Sequence, residues 1–283
     1  MSQSMFSSDP NRNGSATQGL SPAVVEMLKN EEQRITPLRI GFAIVAVIIL
    51  IASARQSELD VGELISNSGN MREYISGYFW PDFSYWKTYL ADTVITISMG
   101  IWGTLLAAIA AVPLALMASE NLSPAWLLQP VRRIQDAMRA INELVFALIF
   151  VVAVGLGPFA GVLALAVHTA GTLGKLFSEA VEAIDPGPVE GIRATGASKL
   201  QEIIFGVIPQ VMPLWASFTL YRFEANVRSA SVLGIVGAGG IGVSLYQSFG
   251  SFEYQRVCAI LIILVVATGL VDILSSQIRK RLL

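Results

Sequence analysis

Apolar residues along this chain gather into long blocks, at Leu38 to Ala54, Tyr89 to Ala118, Ile141 to Leu156, Phe159 to Ile184, Met212 to Leu233 and Cys258 to Leu274. A helix rises about 1.5 Å per residue, so blocks of this length approach or exceed the hydrocarbon thickness of a bilayer. The six blocks predict an all-α polytopic membrane protein with six transmembrane helices.

The polar interval at about 185–209 carries a different pattern. Asp185-Pro186-Gly187-Pro188 closes the preceding block. Pro188 suits the first position of a short helix, because its missing N–H would find no intrahelical partner there. Gly196 falls where the end of that helix favours a residue tolerant of positive φ. Ser198, with Gln201 three residues later, is a capping-box pattern that starts a second helix. Leu200, Ile203, Ile204, Val207 and Ile208 then recur on one face until Pro209 stops the run. Two short helices on a membrane surface are predicted, and an ordinary amphipathic connector would carry the same local signals.

Composition agrees with the blocks. With 53% hydrophobic residues, 14% charged and a positive mean hydropathy, the chain is too apolar for a soluble domain. The net charge of −2 and the scattered basic residues give no sign of a nucleic-acid partner. The single cysteine, Cys258, excludes an intrachain disulfide. Basic residues also give an orientation. With both termini cytoplasmic, twelve lie inside, from Arg12 to Arg281, against Arg55, Arg72, Lys87 and Arg256 outside. The two-helix loop then faces the cytoplasm.

Residues 1–37 form a polar leader rich in Ser, Asn and Gly, expected to be largely disordered, and residues 38–283 form the membrane domain. Ala52-Ser53-Ala54 resembles a signal-peptidase site, but the leader before it is long for a signal n-region, so the first block is expected to be retained. Tyr74, Tyr78, Phe79, Trp80, Phe83, Tyr85 and Trp86 suit the outer membrane interface.

Enzyme-like patterns are weak here. Gly237-Ala238-Gly239-Gly240-Ile241-Gly242 satisfies a dinucleotide-binding expression but lies between two apolar blocks with no βαβ unit around it. Gly174-Lys175 is followed by Leu176 where a phosphate-binding loop needs Ser or Thr. One histidine, His168, and no cluster with ligand spacing leave no metal site in prospect, and no nucleophile constellation suggests an intramembrane enzyme.

The order of span, two-helix loop, span, glycine-rich Val236 to Gly242 and final span resembles the permease subunit of a bacterial ABC importer with the methionine-importer type of fold. That family's loop pattern is E-A-A, three residues, G, nine residues, I-x-L-P. Glu190, Gly196 and Pro209 match it in register, Ile208 stands for its Leu, and Gly191, Ile192 and Gly206 depart from it. Gly155 to Gly161, His168-Thr169-Ala170-Gly171, Leu173 to Leu176 and Tyr221-Arg222-Phe223-Glu224 are most similar to the phosphonate-importer (PhnE-type) permeases, a branch that phosphite and hypophosphite importers share. This likeness covers most of residues 60–283.

The resemblance implies two copies of the permease in the bacterial inner membrane, two cytoplasmic ATPase subunits that carry Mg-ATP, and an extracytoplasmic binding protein. The chain itself would bind no cofactor. Glu190, Arg193, Ala194 and Gly196 would belong to the element that couples it to the ATPase. The cargo would be phosphonate or a related phosphorus oxyanion, with phosphate or methionine as alternatives. An ion-coupled secondary carrier is the remaining transport reading, though no repeat between halves supports it.

Ionisable residues inside spans are costly and so are functional candidates. Arg222, Asn226 and Ser229 share one stripe of the fifth span, where the cation would lower the barrier for an oxyanion. Pairing of Arg222 with an acid such as Glu143 is the structural alternative. Glu224 and Arg228, four residues apart, are expected to neutralise each other, as are Arg139 and Glu143, with Asp136 extending that ladder. Lys175 and Glu179 form a similar pair. Gly237, Ala238, Gly239 and Gly240 are candidates for an outward gate at the axis between two copies, or for a tight interface turn.

Overall fold

The computed structural model describes residues 22–282, and the regular structure among them is helical. Two compact units divide between Met71 and Arg72. The first holds α1 (Pro22–Gln56) and α2 (Val61–Ser66), and α3 (Ser68–Ser76) runs across the division. Residues 22–37 of the polar leader are therefore helical, continuous with the first span, while residues 1–21 and the disorder expected there lie outside the described part. From Arg39 to Gln56, α1 is long and apolar enough to cross a membrane, and none of it is buried in the protein. Phe42, Ile48 and Leu50 are exposed, as suits a helix solvated by lipid. Asp60 caps α2 by accepting from the N–H groups of Gly62 and Glu63 at 2.7 and 3.2 Å.

The second unit continues with α4 (Trp86–Ala118), α5 (Ala125–Ala140), α6 (Glu143–Val154), α7 (Pro158–Glu182), α8 (Pro186–Ala194) and the single turn α9 (Lys199–Gln201). A π-helical turn over Glu202–Val207 leads into α10 (Ile208–Leu233). A 3-10 turn, Gly234–Val236, precedes α11 (Ile241–Gly250) and α12 (Tyr254–Leu282). Among the described residues, five helical stretches qualify as spans, and α5 with α6 makes a sixth only as a pair bent by 90°.

The bend corrects the third predicted span. Ile141 is extended, and the Asn142 side chain accepts from the Leu144 N–H at 2.9 Å, which starts a new helix in a new direction. The twelve residues of α6 then cover only about 18 Å.

Small residues hold the core together. In lipid the helices gain little by hiding apolar side chains from one another, so close backbone contact and packing decide association. On α4, Ala107, Ala111 and Ala115 recur every four residues and cluster with Ala170, Leu173 and Phe177 of α7. At Gly103 a Cβ would lie 2.7 Å from that of Leu165. Phe177 stacks on Trp215 of α10 with ring centroids 4.7 Å apart, and the indole N–H donates to the Phe177 carbonyl at 3.2 Å. Arg132 closes one end of the α4–α7 pair. Its Nε donates to the last helical carbonyl of α4, at Ala118, while its two terminal nitrogens meet Glu120 and Glu182 at 2.9 and 2.5 Å.

Candidate functional site

Helix α10 carries the polar stripe predicted to line a pathway. Asn226 is 2% exposed; its amide donates to the Thr104 hydroxyl at 2.8 Å, and its carbonyl oxygen accepts from Thr169 at 2.9 Å. One side chain thus satisfies both hydroxyls and fastens α4, α7 and α10 at one level. Ser229 donates to Glu143 Oε1 at 2.7 Å. The other oxygen of Glu143 faces His168 Nε2 at 3.6 Å, and His168 Nδ1 lies 2.9 Å from the Ile141 carbonyl. A carbonyl only accepts, so Nδ1 carries a proton there. His168 thereby pins the corner between α5 and α6 to α7.

Arg222 stands apart. It lies within the electrostatic reach of Glu143, but among the described residues it forms no ion pair within 4 Å and its buried Nε has no hydrogen-bond partner. Of the stripe predicted to line a pathway, Asn226 and Ser229 are therefore engaged by protein groups, and Arg222 retains unspent donors.

The pair expected between Glu224 and Arg228 is exchanged for two others. Arg228 Nη1 reaches Asp272 of α12 at 3.0 Å, and Glu224 accepts from Arg279 of the same helix. Both pairs tie α10 to α12. Packed helices offer Glu224 and Arg228 opposite charges across the contact, where their side chains meet more directly than along one helix. Of the predicted ladder, Arg139 keeps Asp136 at 3.1 Å and loses Glu143, because the break at Ile141 and Asn142 removes the continuous turn that four-residue spacing requires. Lys175 and Glu179 approach to 3.9 Å as expected.

Ala238 is fully buried, with the backbone and side chain close to Gly161 of α7. The Gly157 N–H donates to the Gly237 carbonyl at 3.0 Å, and the Thr96 hydroxyl accepts from the Ile241 N–H at 2.9 Å. The turn 237–240 is thus anchored to α4 and α7 within one chain, so Ala238 is not on a surface where a second copy would meet it.

The loop between α7 and α10 has the two predicted helices, with its start shifted. Asp185, not a residue beside Pro188, is the N-cap, accepting from the Gly187 N–H at 2.9 Å, so Pro186 takes the first helical position. Gly196 has φ of +80°, the left-handed backbone predicted from its place after α8. Gln201 completes half of the capping box by accepting from the Ser198 N–H at 2.8 Å. Glu190, Ala194 and Gly196 are exposed. Arg193, the fourth residue predicted for this element, is exposed too, and its guanidinium forks onto Glu202: Nε to Oε1 at 3.0 Å and Nη2 to Oε2 at 2.9 Å.

Glu202, Thr104, Thr169, Asp272 and Arg279 complete these contacts and were not singled out from sequence. Asp272 carried a usable signal, as an acid within the apolar run of α12. The two threonines carried none, since hydroxyls are common in such helices.

Comparison with known proteins completes the description of this region. Residues 103–283, which include all of the polar stripe and the loop, match the model of the binding-protein-dependent transport system inner membrane component. The chain belongs to that family. The permease is 38% identical over 239 residues to the phosphite transport system permease protein PtxC of Stutzerimonas stutzeri, covering 84% of this chain and 87% of that one. It is 62% identical over 118 residues to the putative cryptic phosphonate transport system permease protein PhnE2 of Escherichia coli K12, covering 42% of this chain and 97% of the other. Among solved structures, a chain of the methionine ABC transporter MetNI in inward-facing conformations superposes with a TM-score of 0.60 at 22% identity, over 69% of the permease and 95% of that chain. The permease therefore has the methionine-importer type of fold, and its curated relatives are transport permeases rather than enzymes.

Proposed function

We propose that the permease forms the translocation pathway of an ATP-driven importer for phosphite, phosphonate or a related phosphorus oxyanion. The observation that carries this reading is Arg222, a guanidinium with an uncommitted buried donor and no ion pair within 4 Å among the described residues, whereas Arg279, whose Nε is also without a partner, is already committed to Glu224. A tetrahedral oxyanion presents several acceptors to such a fork. The names of the phosphite and phosphonate relatives support the cargo class.

Two copies of the permease, two cytoplasmic ATPase subunits with Mg-ATP and an extracytoplasmic binding protein make up the proposed importer. Both termini lie in the cytoplasm in this reading, with Arg279, Lys280 and Arg281 at the inner surface. The pairing of Glu224 with Arg279 then favours a position for Arg222 toward the inner mouth of the pathway. The exposed residues Glu190, Ala194 and Gly196 form the surface offered to the ATPase.

The test is uptake into proteoliposomes holding the permease, its ATPase and its binding protein. Phosphite or methylphosphonate should accumulate only when ATP reaches the ATPase, and methionine should not accumulate. Transport by the permease alone down an ion gradient would reject the reading in favour of a secondary carrier. Uptake of phosphate in preference to both other anions would keep the importer and change the cargo.

A further inference from the structure

The loop 185–210 is tied to itself at three levels. At its base, Gln210 accepts from the Asp185 N–H at 3.1 Å and donates to the Asp185 carbonyl at 3.2 Å and the Gly206 carbonyl at 2.7 Å. In the middle, α8 and the π-helical turn nearly touch: a Cβ on Gly206 would lie 3.2 Å from Val189 Cα. Toward the tip, Arg193 of α8 makes its two-point contact with Glu202 of the π-helical turn. The Glu202 side chain is 7% exposed and the Arg193 side chain 58% exposed, so the carboxylate is enclosed and the arginine reaches in from the surface. Two parallel hydrogen bonds fix orientation as well as distance, which a lysine could not do.

The wide turn holding Glu202 is itself informative. The Ile208 N–H donates to the Ile203 carbonyl, five residues back, just before Pro209, which has no N–H to continue an ordinary ladder. A π turn is a less regular joint than an α-helix and interrupts the rod between α9 and α10. Without an external tie, motion of α8 could be absorbed there. The Arg193–Glu202 fork spans the joint from outside. Beyond it α10 continues as one helix from Ile208 to Leu233, with Pro213 inside its second turn, and carries Arg222.

We infer that the Arg193–Glu202 fork is the positioning contact that sets the angle between α8 and α10, so that displacement of α8 is delivered to the Arg222 segment rather than lost in the π turn. This inference rests on the proposed coupling of the loop to an ATPase. Arg193 acts in it through Glu202, inside the permease, and not as a contact for the ATPase.

The test measures molecules taken up per ATP hydrolysed by the whole importer in proteoliposomes, because a residue that merely held the fold would change the amount of active complex and not this ratio. Glu202→Gln and Arg193→Gln are each expected to lower the ratio by about tenfold, the scale of a lost charge-assisted contact. Arg193→Gln/Glu202→Gln together should be no worse than either alone, since both remove the same contact. Arg193→Lys keeps the charge and the assembly while losing the fork, and should give an intermediate ratio. It decides the matter if the Gln variants fail to assemble. A wild-type ratio in Arg193→Lys under those conditions, or in Glu202→Gln where it assembles, overturns the inference.

Ala194→Arg separates the two layers, by placing bulk on the exposed face of α8 without touching the fork. Blocked uptake in that variant beside a normal Glu202→Gln removes only the positioning role. Full uptake by Ala194→Arg, with the ATPase still bound, removes the loop coupling itself and the inference with it.

Discussion

Uptake by the Arg222→Gln permease is expected to fall about ten- to a hundredfold while the complex still assembles and hydrolyses ATP. A hydrogen bond between charged partners contributes about 1.5–3 kcal/mol, and each 1.4 kcal/mol is a factor of about ten. The folded state should lose little, because Arg222 forms no ion pair within 4 Å and its Nε serves no protein acceptor among the described residues. Arg222→Lys keeps the charge without the planar fork and should fall between the two. The measurement is initial uptake of phosphite or methylphosphonate at matched amounts of complex. Uptake within about twofold of wild type would take Arg222 out of the pathway, on the same factor-of-ten scale. Asn226→Leu makes the contrast: it leaves the buried Thr169 hydroxyl without its acceptor and unties Thr104, which keeps its own bond to the Gly100 carbonyl, so its damage should show first as lost folded protein.

The second large effect is structural. Gly242→Ala should sharply reduce the yield of folded, monodisperse permease, because the added Cβ would lie 2.2 Å from the Ser231 carbonyl oxygen and 2.9 Å from Gly234 Cα. Those contacts are backbone, which cannot swing aside as a side-chain tip would. Gly234 meets the same segment from the other side, 2.5 Å from the Gly242 carbonyl carbon when given a Cβ. Overpacking of this kind costs about 1–3 kcal/mol or more. Gly191→Ala is the matching control in α8, where a Cβ meets nothing within 4 Å and helix propensity improves by about 0.5–1 kcal/mol. Thermal unfolding in detergent, followed by size-exclusion profile, distinguishes the two. A Gly242→Ala permease as stable as wild type would show that α10 and α11 can separate without loss of the fold.

Much of the architecture was legible because bilayers impose a simple rule: a long apolar block must satisfy its own backbone, and a helix does so. The spans at α4, α7, α10 and α12 follow from that rule, and the third block departs from it at one residue. Asn142 is a good helix cap, but its preference for capping could have been overruled by continuation of the helix from α5 into the apolar run that follows it, so the 90° bend was not readable in advance. In the loop, the positive φ at Gly196 and the Ser198–Gln201 contact were readable because both are local: the residues that set them lie within one turn.

The candidate site divides along the same line. That Arg222, Glu224, Arg228, Glu143 and Asn226 mattered came from the cost of polar groups in lipid, a property of each residue by itself. Which of them would be paired did not, because neutralisation depends on what a neighbouring helix presents at the same level. Asp272 and Arg279 lie 44 and 55 residues beyond their partners, and Thr104 lies 122 before Asn226.

By itself the amino-acid sequence determined the helical class, the loop with its two short helices, the family likeness and the set of costly side chains, since those rest on composition and on contacts within a few residues. Only the tertiary structure decided that Arg222 keeps free donors while Asn226 and Ser229 do not, that Arg193 forks onto Glu202 from the surface, and that Ala238 is sealed inside one chain. Each of those outcomes is a competition among partners distant in sequence, and packing in three dimensions chooses the winner.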